Sequence, residues 1–256
     1  MSIVKYSVIN HSKTFESNPK QDLSSIYPAD MLFIEPIGYI KYLRTIDKRD
    51  SGYIQCPAFT DFFKNTFVLL SPVDISITYD TKEQSINVSG ERGINQEFYD
   101  NFVEGRLSQT GGADRLLMTL DLLRLYFITK DPVSFEILPN FVLYNTNKNY
   151  NVIPGKFRID KWIRPIEFAF EFIDDNKPIV IKRGDPLFTI RFTPEDDSKV
   201  ELEREIIEDI KLLRHVITNH TSLKSFLPKL PLKAAYEIAK PFIKLFWKQK
   251  DKNDRY

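Results

Sequence analysis

Alternation of apolar and polar positions is clearest between Ile166 and Phe172. Ile166, Phe168, Phe170 and Phe172 fall on one side of an extended chain, and Glu167, Ala169 and Glu171 on the other. That pattern predicts a half-buried strand. Asp174, Asp175 and Asn176 then supply turn chemistry, Pro178 to Lys182 predicts a short second strand, and Gly184-Asp185 turns the chain again. Phe188, Ile190 and Phe192 alternate with Thr189 and Arg191 beyond it, so the stretch as a whole predicts an antiparallel meander with an aromatic inner face. The runs Met31 to Leu43, Phe67 to Tyr79, Ser85 to Ser89, Leu116 to Lys130 and Val133 to Leu143 are rich in β-branched, aromatic and aliphatic residues and predict further strands. Three- and four-residue spacing predicts a short helix in Ala58 to Lys64 and another in Asn95 to Val103, while Asn145 to Tyr150 predicts an exposed loop.

At Thr193-Pro194-Glu195-Asp196-Asp197-Ser198 the character changes, because proline and acidic residues of this kind open and cap helices. Ile206, Ile210, Leu213 and Ile217 follow at helical spacing, with Glu203, Glu205, Glu208, Asp209, Lys211 and Arg214 for the wet side. The predicted fold class is α+β, mainly β: an antiparallel sandwich or meander with a C-terminal helical extension. Residues 1–197 form the β-rich domain and residues 198–256 the extension, which begins near Ser198 and carries a basic tail. Barrel and sandwich are both open at this stage.

Composition narrows the class without naming a function. The 256 residues are 42% hydrophobic and 28% charged, with 36 Lys+Arg against 35 Asp+Glu, the profile of an ordinary folded protein that is not globally basic. Fifteen prolines against nine glycines argue against long helices before the C-terminal region. One cysteine excludes an intrachain disulfide and a multi-cysteine zinc site, and three histidines leave little for histidine-rich metal chemistry. MSIVKYSVINHSK holds no apolar run of signal-peptide or membrane-span length, so Asn87-Val88-Ser89 and Asn219-His220-Thr221 are not expected to be glycosylated.

The sequence contains no phosphate loop, dinucleotide fingerprint, zincin motif or nucleophile elbow. Gly111-Gly112 lacks the lysine and following helix of an anion-binding loop and is read as a turn. His215 and His220 are five apart, off a common helix face, and no metal site or cofactor is expected. Cys56, next to Pro57, would need His11 or His215 beside it to act as a nucleophile and is read as an inert buried side chain. Glu167 and Glu171 share a strand face and are read as a solvated charged surface; no catalytic residues are assigned.

Two resemblances add to these features. Ile181 to Phe192, with its central Gly184-Asp185, resembles a hairpin of trimeric dUTPases and dCTP deaminases, but the serine-containing phosphate motif and ordered catalytic aspartate of those enzymes have no counterpart here. A tight turn in which Gly184 supplies unusual backbone angles is therefore expected. A broader set, Cys56-Pro57-Ala58-Phe59, Lys64-Asn65-Thr66-Phe67, Ser71-Pro72, Leu138-Pro139, Lys161-Trp162-Ile163-Arg164-Pro165 and Gly184-Asp185-Pro186-Leu187-Phe188, looks like uncharacterised proteins of large T4-like tailed phages. That resemblance implies a viral origin and no mechanism. Abundant Lys, Asn and Ile fit an AT-rich genome.

Lys224 to Tyr256 holds nine basic residues against Glu237, Asp251 and Asp254, a net +6 that leaves the rest of the chain at −5. There Leu232, Tyr236, Ile238, Phe242, Ile243, Phe246 and Trp247 interleave with lysines, a pattern that serves an anionic membrane, a nucleic acid, a protein partner or simply the chain's own domain. Lys240, Lys244, Trp247 and Lys248 are the candidate contact residues. Two functions follow. One is a non-enzymatic phage protein of the host cytoplasm or virion, acting through assembly, self-association or a protein partner. The other is a nucleotide-related enzyme or small-molecule binder in which Lys161, Arg164, Glu167, Arg183 and Asp185 converge on one pocket.

Overall fold

The computed structural model describes residues 1–8, 33–46, 52–80, 82–83, 85–90, 105–108, 117–139, 148–205 and 231–253. In chain order the strands are β1 (Ser2–Val8), β2 (Ile37–Gly38), β3 (Thr66–Leu70), β4 (Ile75–Asp80), β5 (Ser85–Ser89), β6 (Gly105–Ser108) and β7 (Leu117–Ile128). They continue with β8 (Val133–Leu138), β9 (Tyr150–Val152), β10 (Gly155–Arg158), β11 (Pro165–Phe172), β12 (Ile179–Ile181), β13 (Pro186–Pro194) and β14 (Val200–Arg204). Among the described residues the helices are α1 (Tyr39–Ile46), α2 (Pro57–Phe62) and α3 (Leu232–Asn253), with a 3-10 turn at Gly52–Gln55. The fold is mainly β, as the alternation predicts.

One large sheet runs β14-β1-β7-β11-β9, and a second runs β10-β8-β13-β3-β2. The long β7 serves two partners along one edge: β1 takes its Leu125–Ile128 half and β6 its Leu117–Leu120 half. The two sheets meet face to face through rings. Phe168 of the first stacks on Phe188 of the second at 5.5 Å, and Phe127 meets Phe135 at 5.5 Å and Phe192 at 5.1 Å. These contacts make a sandwich, with the inward residues of β11 and β13 buried as their alternation requires.

The expected meander is not what connects them. β11, β12 and β13 enter three different sheets, because β12 pairs with β4 in a small sheet of order β12-β4-β5 while β13 pairs with β3 and β8. The cause is a shared corner. The Ser71 amide donates to the Asp185 carbonyl and the Gly184 amide donates to the Ser71 carbonyl, both at 2.8 Å, so β3–β4 and β12–β13 leave one sheet for the other side by side. Gly184 adopts φ +84, the left-handed conformation expected of it, and the Asp185 amide closes the turn on the Lys182 carbonyl at 2.9 Å. Since β12 and β13 do not pair, the resemblance to a dUTPase-type hairpin stops at the turn.

Three other expectations change. Met31 to Leu43 contains the two-residue β2 and the start of α1 instead of a long strand, because Tyr39, Tyr42 and Leu43 follow helical spacing and bury one side against β3. Ser198 does not begin a helix. Asp197 has φ 52, the Asp196 carboxylate accepts from the Ser198 amide at 3.1 Å, and the chain enters β14, which lies parallel to β1 from Ser2↔Val200 onward. Asn65, at φ 55 between α2 and β3, fixes that entry: its amide group donates to the Ser198 carbonyl at 2.9 Å and accepts from the Val200 amide at 2.8 Å. The sheet therefore continues past residue 197. Third, Cys56 is exposed at the start of α2.

The helices predicted from Ile206 to Ile217 and from Asn95 to Val103 lie outside the described residues, as do Gly111-Gly112, His11, His215 and His220. The α2 expectation holds, with Pro57 at the first helical position. β12, β13 and β5 match their predicted segments, and the predicted loop ends in a buried Tyr150 on β9. Among the described residues no helix is long and apolar enough to cross a membrane.

Candidate functional site

At the far end of β13 from the corner, the turn after β10 carries a polar knot. Arg158 grips both oxygens of Asp160, with Nε to Oδ1 at 2.6 Å and Nη2 to Oδ2 at 2.9 Å, and its third nitrogen pairs with Glu195. These partners hold the guanidinium above its ordinary pKa, hydrogen bonding to Asp160 first. The Arg158 amide donates to the Tyr236 hydroxyl at 2.8 Å, which ties α3 to the sheet. Burial raises the Tyr236 pKa, so the hydroxyl stays protonated.

Lys161 and Arg164 decorate this knot. The Lys161 ammonium lies 6.0 Å from the Tyr236 ring, and the Arg164 guanidinium covers Trp162 at 5.3 Å and Phe157 at 5.6 Å. Arg183 and Asp185 sit at the corner instead. The Arg183 guanidinium donates to the Pro72 carbonyl, its amide donates to the Asp74 carboxylate, and the Asp185 carboxylate accepts from the Lys182 amide at 3.0 Å. β13 separates the two pairs: Pro186 marks the corner end and Pro194 the knot end, roughly 26 Å apart by strand rise. Glu167 lies in β11 at the register shift between Ile166 and Phe168. The structure thus brings Lys161 to Arg164 and Arg183 to Asp185, but it does not bring the pairs together.

Two further polar features were not foreseen. At the corner, the half-buried Lys148 ammonium donates to the Pro186 carbonyl and lies 5.5 Å from the Tyr150 ring; burial pulls its pKa down to about 8, against the opposing pull of Asp185. Near the knot, Met1, Ser2, Asp131, Pro132, Glu195 and Asp196 line an open cleft of about 390 Å³. Its carboxylates are engaged locally: Asp131 accepts from the Ile3 amide at 3.2 Å, Glu195 holds Arg158 and Asp196 caps Ser198. No group of three or more His, Cys, Asp or Glu side chains fit to hold a metal occurs among the described residues.

α3 is the other candidate surface. Ala235, Ala239, Ile243 and Phe246 recur at spacings of four, four and three and are buried; Ile243 and Phe246 pack on Tyr126, Ile128 and Ile163, on the outer face of the β14-β1-β7-β11-β9 sheet. Trp247 is half-buried on the same seam, 5.1 Å beneath the Lys130 ammonium. Lys130 also pairs with Asp251 at 2.6 Å, and Lys250 and Lys5 both pair with Glu205. The outward side is different. Lys233, Lys240, Lys244, Lys248 and Lys252 are all exposed, the last four at four-residue spacing, with Lys240 reaching Glu237 at 3.4 Å. Beside them Ile238 is 42% exposed and Leu245 38%, with the half-buried Phe242 between. Pro241 is tolerated mid-helix on this exposed side, where the carbonyl it leaves unpaired meets water.

The structure places Lys240, Lys244 and Lys248 at the surface of α3; sequence reasoning missed the Arg158 knot, whose signal was the short Arg158-x-Asp160 spacing after a strand. No protein-family model matches the chain, and no curated protein matches it.

Proposed function

We propose that this chain is a phage-encoded protein that works by association, as an assembly component or host-interacting factor of the host cytoplasm or virion, and that the outward face of α3 is its docking surface. The single observation that carries this is the exposed side of α3, where an apolar flank adjoins a lysine row. A helix that only covers its own domain needs one apolar stripe, which Ala235, Ala239, Ile243 and Phe246 supply. Ile238 and Leu245 extend the apolar surface onto an exposed flank, alongside five exposed lysines. The knot at Arg158 and the pairs at Glu205 and Asp251 hold that face in a fixed orientation on the β body. A nucleotide-related enzyme or small-molecule binder needs Lys161, Arg164, Glu167, Arg183 and Asp185 in one pocket, and the placing of Lys161 and Arg164 at the opposite end of β13 from Arg183 and Asp185 weighs against it.

The test places a photoreactive residue at Lys244 or Lys248 in the full chain, with the exposed Lys156 of β10 as control. Discrete crosslinked species from the α3 positions and not from Lys156 support docking through α3. Identical patterns from all three positions overturn it, as does native mass spectrometry that finds a stoichiometrically retained nucleotide or metabolite.

A further inference from the structure

We infer that the partner of the α3 face is the surface of an anionic lipid bilayer. This rests on the association reading above and adds the chemistry of what is bound. The exposed face has two parts side by side: a lysine row formed by Lys240, Lys244, Lys248 and Lys252, and the apolar positions Ile238 and Leu245. Successive lysines in the row are about 6 Å apart along the axis. Helices that lie on membranes combine the same two elements. Apolar side chains enter the acyl boundary, and lysines reach headgroup phosphates on flexible aliphatic stems.

Charge complementarity selects the anionic surface. Five exposed lysines share this side with Glu237 and Asp251, each of which already has a lysine partner, Lys240 and Lys130 respectively. Lys244, Lys248 and Lys252 thus add positive charge to that face, and each lysine near an anionic leaflet contributes about fivefold in affinity. A nucleic-acid backbone would complement the same charge, yet it would leave Ile238 and Leu245 against a hydrated phosphate surface. Among the described residues α3 also offers no fully exposed ring for stacking on a base, since Phe246 is buried and Tyr236, Phe242 and Trp247 are half-buried. Lysine instead of arginine points the same way, because a point charge on a flexible stem suits a fluid array of headgroups and gives up the bidentate geometry useful for fixed phosphates.

The orientation of the seam makes the contact sterically simple. The lysine row lies opposite the stripe packed on Tyr126, Ile128 and Ile163, and Ile238 and Leu245 lie on the flank between, so α3 stays docked while it binds. Binding is expected to be shallow and reversible, because only two or three apolar side chains are on offer.

The experiment is co-sedimentation of the full chain with vesicles of phosphatidylcholine alone and of phosphatidylcholine and phosphatidylglycerol in equal parts, at low and high salt. The expected result is binding to the mixed vesicles only, weakened by salt. The double variant Lys244→Glu, Lys248→Glu should lose at least about tenfold in affinity, whereas Leu245→Ser should weaken binding while leaving its salt dependence. Thermal melts of both variants show that the fold is kept. Absence of binding to the mixed vesicles at low salt overturns the proposal, and so does binding that the double variant leaves unchanged. Duplex DNA is run in parallel: DNA binding lost in the double variant, without vesicle binding, overturns the lipid assignment and keeps α3 as a docking face. If α3-specific crosslinks are absent as well, the association reading falls with it.

Discussion

The space between the two large sheets and the seam beneath α3 are both apolar, but they are built by different means. Between the sheets, rings from β7, β8, β11 and β13 interlock in a core that also takes residues from β1, β3, β4, β9, β12 and β14. Under α3 the buried set shrinks to Tyr126, Ile128, Ile163, Ile243 and Phe246, and polar fasteners surround it: Arg158 to Tyr236, Glu205 to Lys250, Lys130 to Asp251. The difference teaches that the body is specified by burial and the helix by a thin apolar contact plus a few directional bonds. Loss of one ring should therefore be felt globally, and loss of one fastener locally.

The largest effect is expected for Phe192→Ala. This side chain is 1% exposed and touches Phe67, Phe127 and Phe135, so its removal leaves a cavity between sheets that cannot collapse, costing about 3–5 kcal/mol by chemical denaturation. An effect under about 1 kcal/mol would mean that the core is far more plastic than its ring contacts imply.

Arg158→Ala should cost less, about 2–3 kcal/mol, since it orphans Asp160 and releases the exposed Glu195. Its signature is spatial. Hydrogen exchange should accelerate first in residues 158–164 while β11 and β13 stay protected, because the backbone amide that holds Tyr236 survives this substitution. Tyr236→Phe removes the acceptor of that amide and should speed exchange in α3; if α3 keeps full protection there, the apolar seam alone holds the helix and the contrast between the two regions disappears.

Much of the body was legible because its strands carry their own period. Phe168, Phe170 and Phe172 announce which face is buried without reference to any other segment. What was not legible is whatever depends on distant pairing. The corner joins Ser71 to Gly184 and Asp185 by backbone hydrogen bonds, and backbone groups leave no mark in a sequence. The knot joins Arg158 to Tyr236 across 78 residues, again through a backbone amide. Strand alternation hid the helical spacing of Tyr39, Tyr42 and Leu43, and Pro-Glu-Asp-Asp chemistry caps a turn after β13 as readily as it caps a helix. At the candidate site the lysines were legible, but which flank of α3 faces water is set by the fit of Ala235 and Ala239 against the body.

A smaller effect is expected at the corner, where Lys148 is held with its pKa at about 8 instead of 10.5 by burial. The folded state binds that proton less tightly than the unfolded chain does. The penalty is therefore fully present below pH 8 and is relieved as pH rises from about 8 to 10.5, so this group makes stability increase with pH across that window. Lys148→Met should stabilise the chain at neutral pH by about 1–2 kcal/mol, the gain being offset in part by loss of the bond to the Pro186 carbonyl, and should flatten the rise. Denaturant titrations at pH 7 and 9.5 make the comparison below the range where Tyr39 intervenes. Burial pushes the Tyr39 pKa up to about 12, so its contribution is lost only as pH climbs from 10 through 12. An identical pH slope in Lys148→Met and the parent would place the charge of Lys148 in water.

The smallest effect belongs to the surface proposed to do the binding. Lys244 and Lys248 are exposed, take part in no ion pair among the described residues, and sit on the side of α3 away from the seam. Reversing both charges should change stability by no more than about 0.5 kcal/mol. Relief of like-charge repulsion along the four-residue spacing should make the sign favourable at low salt and erase it at high salt. That outcome would separate the two roles of the helix cleanly: one stripe holds it to the β body, and the other is available to be selected for what it meets. A loss of more than about 1 kcal/mol would mean that the lysine row is bonded to the chain itself, and the outward face would then be part of the fold and no docking surface at all.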